Sequence, residues 1–184
     1  MLRRLGAPEE EIFVVQTNIS NTYIGIGRLE EALQMDRDVY SGRLKINGEE
    51  HGETLRAANN YAHSLRELER FEEAKSLLRE ILPVARLVLG EAHEVTLKMK
   101  KNLGEALYKD AGATHDDLRE AVNTLEDTVR IARRIFGGSY PLVTSMGKFS
   151  QEARAALAIE EYLQGEGVES IRDAMAAMVP PGDA

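Results

Sequence analysis

A chain of 184 residues can hold one domain with a real core or a short array of repeats. A formal charge of −8 and an isoelectric point near 5.1 exclude a nucleic-acid binder that works through bulk positive charge, and the absence of cysteine excludes a disulfide framework and thiolate chemistry. No apolar run approaches a membrane span, and MLRRLGAPEEEIFVV meets three glutamates before any apolar block, unlike a signal peptide, so a soluble, cytosolic protein is expected.

From the N-terminus, IFVVQTNISNTYIGIG is rich in β-branched residues and by propensity alone reads as strand. A helix is nevertheless predicted over 9–26, because Asn18 and Gly27, with Ala32 beyond, keep a register that recurs down the chain. A second helix is predicted over 29–47. In the third, over 53–68, Leu55, Ala58, Tyr61, Ala62 and Leu65 follow i, i+3, i+4 spacing. In the fourth, over 71–89, Phe71, Ala74, Leu77, Leu78, Ile81 and Leu82 do the same, and Pro83 inside it should kink the helix. Helices over 94–110, 116–136, 140–163 and 168–178 complete the series. KDAGATHDD interrupts it as a loop without a fold role, and residues 179–184 form a disordered tail.

These elements repeat. Gly48-Glu-x-His51-x-x-Thr54-Leu55 recurs as Gly90-Glu-x-His93-x-x-Thr96-Leu97, 42 residues on. Gly6, Gly48 and Gly90 share that interval, as do Asn18, Asn60 and Asn102, and Ala32 and Ala74. Ala121 arrives 47 residues after Ala74, and the extra residues fall within KDAGATHDD, where a loop tolerates them. Each unit is therefore a helix A and a helix B, and the units run over about 9–47, 53–89, 94–136 and 140–178 in a single domain. The His-containing stretch is the joint between B of one unit and A of the next. Its Gly ends one helix in a left-handed conformation, and Glu or Thr starts the next. In the fourth unit Phe149 takes the role of Leu103, one residue off register.

Leu89-Gly90, His93, Thr96-Leu97, Asn102-Leu103-Gly104 and Gly27-x-Leu29-x-Glu31-Ala32 resemble the tetratricopeptide repeat, in its 42-residue kinesin-light-chain-like form, over residues 5–160. The joints depart from that form in lacking a Pro after His. The resemblance implies an all-α right-handed superhelix of antiparallel helix pairs, a solenoid of about three and a half units, with a concave wall of A helices.

Chemistry of other kinds finds little to stand on. His51 and His93 lie on successive joints, roughly 10 Å apart if units stack, too far for one metal ion, so a joint residue bonding local backbone is the favoured reading. His115 beside Asp116 and Asp117 is a weak metal trio in a loop. No phosphate loop or nucleophile motif is present, so no enzymatic role, cofactor or metal is expected.

On the A helices, one stripe carries Val14, Thr17 and Asn18 in the first unit, Arg56, Asn60, His63, Arg66 and Glu67 in the second, and Lys98, Lys101, Asn102, Glu105 and Lys109 in the third. Lys148 lies on it in the fourth. Six basic residues against three acids, Glu67, Glu105 and, in one register of the fourth unit, Glu152, suggest positive charge gathered on one wall of an acidic protein. An Asn amide offers donor and acceptor together, which suits a peptide backbone. The resemblance implies contact of Asn18, Asn60 and Asn102 with bound peptide, and of basic neighbours with its carboxylates; hydrogen bonding between stacked A helices is the alternative role for these Asn. The expected function is an interaction module or adaptor that binds an extended acidic peptide through Asn18, Arg56, Asn60, His63, Lys98, Lys101, Asn102, Lys109 and Lys148. No nucleic-acid partner is expected.

The alternative is a structural subunit of a larger assembly. The frame begins on the tail of a B helix whose partner is missing, and Ile12, Phe13, Val14 and Val15 make an apolar first A helix. Self-association or a larger complex through that helix follows. At the other end Val168, Ile171, Met175 and Met178 are expected to cap the fourth unit.

Overall fold

A computed structural model describes residues 8–164; Gly6, the expected helix at 168–178 and the tail lie outside the described residues. Within them are seven helices: α1 (Glu9–Gly25), α2 (Leu29–Asn47), α3 (Gly52–Glu67), α4 (Phe71–Leu89), α5 (Glu94–Lys109), α6 (His115–Phe136) and α7 (Pro141–Leu163). The chain divides into two compact units, residues 1–99 and 100–184, with the division inside α5.

In the first unit α1 packs on α2, α2 on α3, and α3 on α4. α1 is a helix despite its β-branched content. Thr17 and Thr22 turn their hydroxyls back to the carbonyls of Phe13 and Asn18, and Ile12, Phe13 and Ser20 are buried. Phe13 packs with Val39 and Ala57, and its ring lies against Gly42, where any Cβ would collide with it. Tyr40 and Tyr61 stack with ring centroids 6.1 Å apart. α4 runs unbroken through Pro83. Pro83 and Arg79, whose carbonyl has no amide partner at Pro83, are both exposed residues, so water can take that bond.

In the second unit α6 packs on α7. α5 approaches α6 so closely at Gly104 that a Cβ there would stand 2.5 Å from Leu125 Cγ. Along α7, Val143, Met146, Ser150 and Ala153 are buried. Val143, Phe149 and Ser150 follow Leu97, Leu103 and Gly104 by 46 residues, whereas Gly137 follows Gly90 by 47, which is the one-residue shift expected.

The period has a steric basis. Ser20, Ala62 and Gly104 occupy one register and are all buried, because a larger side chain there would hold the paired helix away. Ala32 and Ala74 occupy the first turn of α2 and α4 and Ala121 the second turn of α6, and all three are fully buried.

Turns between A and B repeat as well. Arg28 N–H bonds Tyr23 O at 2.8 Å and Arg70 N–H bonds Leu65 O at 2.9 Å, the longer bond of a Schellman motif. The left-handed residue is Gly27 (φ 77°) in the first turn and Glu69 (φ 58°) in the second. In the third, the expectation of a loop without a fold role is corrected. Thr114 Oγ1 accepts from Asp117 N–H, and Asp117 Oδ2 accepts from Thr114 N–H, each at 3.1 Å, a capping box that starts α6. Only Asp110–Ala113 are loop, where Asp110 Oδ1 accepts from Gly112 N–H.

Candidate functional site

The joints come first, because they fix where each A helix begins. Gly48, Gly90 and Gly137 have φ of 79°, 91° and 80° and close α2, α4 and α6. Three residues later stands the N-cap or its equivalent: His51, His93 and Tyr140. His51 Nδ1 accepts from Glu53 N–H at 3.3 Å, and His93 Nδ1 from Val95 N–H at 3.2 Å. The repeated histidine is thus the cap before the helix; Glu94 opens α5 as expected, and α3 opens at Gly52, one residue ahead of Glu53. Thr54 and Thr96 are buried, and Thr96 donates to Ala85 O of α4 at 3.5 Å. Among the described residues no group of three His, Asp or Glu side chains could hold a metal ion.

In the first unit, α1 and α3 enclose a cavity of about 160 Å³ lined by Val14, Thr17, Asn18, Arg56, Ala57 and Asn60, with Arg43 and Glu53. Three of the expected site residues, Asn18, Arg56 and Asn60, are therefore brought together. Asn18 is exposed and Asn60 half-buried. Arg43, on the B helix α2, was not foreseen. Its buried guanidinium ion-pairs with Glu10 of α1 at 3.0 Å and Glu53 of α3 at 3.4 Å, and sits 5.5 Å from the Phe13 ring centre. Asn47 donates to the other oxygen of Glu10 at 3.0 Å. One buried cation thus ties both walls of the cavity to the helix between them. Arg56, largely exposed, bonds the outer oxygen of Glu53 at 3.3 Å.

Outside the cavity, His63 Nε2 lies 3.6 Å from Glu67, which Arg66 also engages at 2.6 Å. Lys98 bonds Glu94 at 2.7 Å, and that hydrogen bond and charge hold the Glu94 carboxyl below its ordinary range against the opposing effect of burial.

In the second unit, Lys101 and Lys109 grip Glu105 from either side, at 2.8 and 3.0 Å. Glu105 is completely buried, and both ammonium groups sit about 5 Å from the centre of the Phe149 ring, at 4.9 and 5.0 Å. Lys148 is 3.7 Å from Glu152, whose other oxygen accepts from Tyr108 OH at 2.5 Å. Asn102 is only 3 % exposed, so its amide is not presented to a groove as its two register mates are.

The expected unbalanced positive wall is corrected by these pairs. Arg56, Arg66, Lys98, Lys101, Lys109 and Lys148 each have an acidic partner. Glu53 and Glu94 lie just ahead of the stripe, and Glu105 serves two lysines. The spacings that make these pairs, i, i+3 or i, i+4 except for the adjacent Arg66 and Glu67, were readable in the sequence.

Paired helices, glycine-closed joints and small residues at fixed register define a helical-hairpin repeat protein. The family model described as "Tetratricopeptide repeat" matches residues 11–86 and again 53–116, more than half the chain, and the chain belongs to that family. No curated protein matches it. Among solved structures it is similar to BtubC (BKLC) from P. vanneervenii, at 18 % identity and a TM-score of 0.64, over 96 % of this chain and 69 % of that one. That likeness concerns the fold. A putative kinesin light chain from Podosopora anserina, with nearly identical TPR-like repeats, aligns at 17 % identity over 91 % of this chain and 97 % of that one, with a TM-score of 0.44. Tetratricopeptide repeats generally mediate contacts between proteins. No described helix is long and apolar enough to cross a membrane.

Proposed function

We propose that this chain is an adaptor that takes an extended peptide of a partner protein across its A helices, anchored in the cavity between α1 and α3. The observation that carries this reading is the convergence of Asn18, Asn60 and Arg56 on one concavity. Asn18 and Asn60 serve the peptide backbone as paired donor and acceptor. Arg56 serves an acidic side chain, exchanging Glu53 for it. That exchange is cheap, because an exposed ion pair contributes only about 0–1 kcal/mol. Lys98, Lys101, Lys109 and Lys148 act on the same terms where their own pairs are exposed, and His63 adds a hydrogen bond at the far end of α3. Lys101 and Lys109 are the least available, since releasing them leaves Glu105 buried and uncompensated. Binding should therefore fall about tenfold or more in Asn18→Ala with Asn60→Ala, the loss of two backbone hydrogen bonds. Isothermal titration with a captured partner peptide measures this. Unchanged affinity in that double variant, with the helical circular dichroism intact, sinks the proposal.

A second reading, a subunit held permanently in a larger assembly, is favoured by α1 alone. Val15 (39 %) and Ile19 (37 %) are exposed on it, and Ile26 (63 %) at its C-cap. Salt separates the two readings: groove binding of an acidic peptide weakens as ionic strength rises, and an apolar contact does not.

A further inference from the structure

The charge left unpaired in the second unit lies away from the expected wall. Arg130, Arg133 and Arg134 stand at i, i+3 and i+4 on α6, one face of the helix, where like charges repel. From α7, Arg154 converges on the same open groove of about 830 Å³, whose walls also carry Asn123 and Gln151. Asp127 takes up Arg130 and Glu126 takes up Arg154, and Asp127 also bonds Lys100 at 3.3 Å. Arg133 and Arg134 are exposed, and neither is paired with an acid among the described residues. Four arginines thus face two carboxylates in a chain of net charge −8. The α6 dipole favours cations in its last turn, which accounts for Arg133 and Arg134 singly. It does not account for Arg130 crowding them, nor for Arg154 arriving from the neighbouring helix.

We propose that the groove between α6 and α7 is a second docking surface, which takes an acidic segment of a partner protein. It shares no residue with the α1–α3 cavity or with the Lys101–Glu105–Lys109 cluster. Guanidinium forks match carboxylates in bidentate geometry, and the amides of Asn123 and Gln151 supply donors and acceptors to a peptide backbone. Above Gly147 the space is open, with nothing within 4 Å of where a Cβ would stand. A nucleic acid fits less well, because no aromatic side chain lines the groove to stack on bases and the whole chain repels a polyanion.

The test is fluorescence anisotropy of the full chain with a labelled decapeptide of alternating Glu and Gly. The wild type should bind at low salt and release the peptide as salt rises. Arg133→Glu with Arg134→Glu should weaken binding about tenfold or more, Arg133→Gln with Arg134→Gln by less, and Arg37→Glu, an exposed position on α2 outside both grooves, not at all. Both groove variants change exposed side chains, and circular dichroism checks that they remain folded. Equal affinity in the wild type and both groove variants overturns the proposal, as does a wild type that binds nothing at low salt. Loss on Arg56→Glu in place of the groove variants assigns the peptide to the α1–α3 cavity and overturns it. Tighter binding after Glu169→Lys with Asp173→Lys assigns the groove to the chain's own residues 165–184, which also overturns it. So does a single-stranded oligonucleotide that competes more strongly than the peptide.

Discussion

At Glu69 the second repeat holds a left-handed backbone conformation, φ 58°, which the first repeat gives to Gly27. A side chain bearing a Cβ is strained there, and the turn's hydrogen bonds hold it in place. Glu69→Gly should therefore stabilise the chain by about 0.5–1 kcal/mol, since the relief of strain exceeds the added freedom of the unfolded chain. A urea titration measures it, with the reciprocal Gly27→Glu expected to destabilise. Asp36 is the other residue at odds with its place. It is 3 % exposed and accepts from Ser64 Oγ of α3 at 2.5 Å, with Ser20 of α1 also bonding it. Burial raises its pKa, the two serines oppose the rise, and no charged group contributes. Raised in the fold, this pKa means that the folded state binds the proton more tightly than the unfolded one. The stability it contributes is complete below the ordinary carboxylate range and is lost as pH rises through the raised value. Asp36→Asn, which keeps an acceptor for Ser64, should thus melt higher than the wild type at pH 7. The gap should close as the pH is lowered toward the ordinary range of an aspartate. A gap independent of pH would show that burial of charge is not the cause.

At the scale of the element, helix ends carry most of the repeat's information, and they were only partly legible. The glycines of the joints were read correctly as left-handed closures, because few other residues adopt that φ. The histidines were read as joint residues bonding local backbone, and they do so, although the motif did not say that the bond would be an N-cap to the amide two residues on. α1 was predicted against its own propensity, on register alone, and its buried Ile12, Phe13 and Ser20 explain why register prevailed. The start of α6 was placed within one residue, at 116 against His115, but the cap that sets it was missed. KDAGATHDD broke the period and so was taken for loop, although Thr114 and Asp117 have the spacing of a capping box. Thr114→Ala should accordingly cost about 1 kcal/mol, read as a lower urea midpoint at unchanged slope. Removing Gly112–Asp116 takes that cap away too, so it should destabilise where deletion of loop alone would not.

For the whole molecule, what remained illegible was pairing between helices. Arg43 could not be assigned to Glu10 and Glu53, which lie on the helices either side of its own, nor could the pairing of Arg154 with Glu126 be seen before α6 and α7 were packed. The surplus suggested along the stripe had another source: the count left out acids such as Glu53 and Glu94, which lie just ahead of the stripe and pair with its cations within the same helix. Phe13 is a related lesson. It looked like part of an exposed apolar patch, yet it is 5 % exposed, and Phe13→Glu would disrupt the core beside Gly42. The apolar face that does meet water runs through Val15, Ile19 and Ile26. If α1 makes a contact, those residues make it. The isolated chain should self-associate at high concentration, and Val15→Glu with Ile26→Lys should make it monodisperse in sedimentation velocity. A clean monomer of the unmutated chain at the same concentration would count against any partner for this face.

The four residues Asp110–Ala113 have a practical meaning. Between B and A the chain always counts three residues from the closing glycine to the cap, as in Gly48 to His51, Gly90 to His93 and Gly137 to Tyr140. Between A and B it already tolerates a longer passage in the third repeat. Doubling a flexible loop adds only about 0.6 kcal/mol. Foreign sequence spliced in after Asp110, such as an epitope, a protease site or a fluorescent domain, should leave the repeats in register, whereas the same splice in a joint would unseat the next helix from its cap. The irregularity of the third repeat thus marks the port through which this scaffold can be tagged.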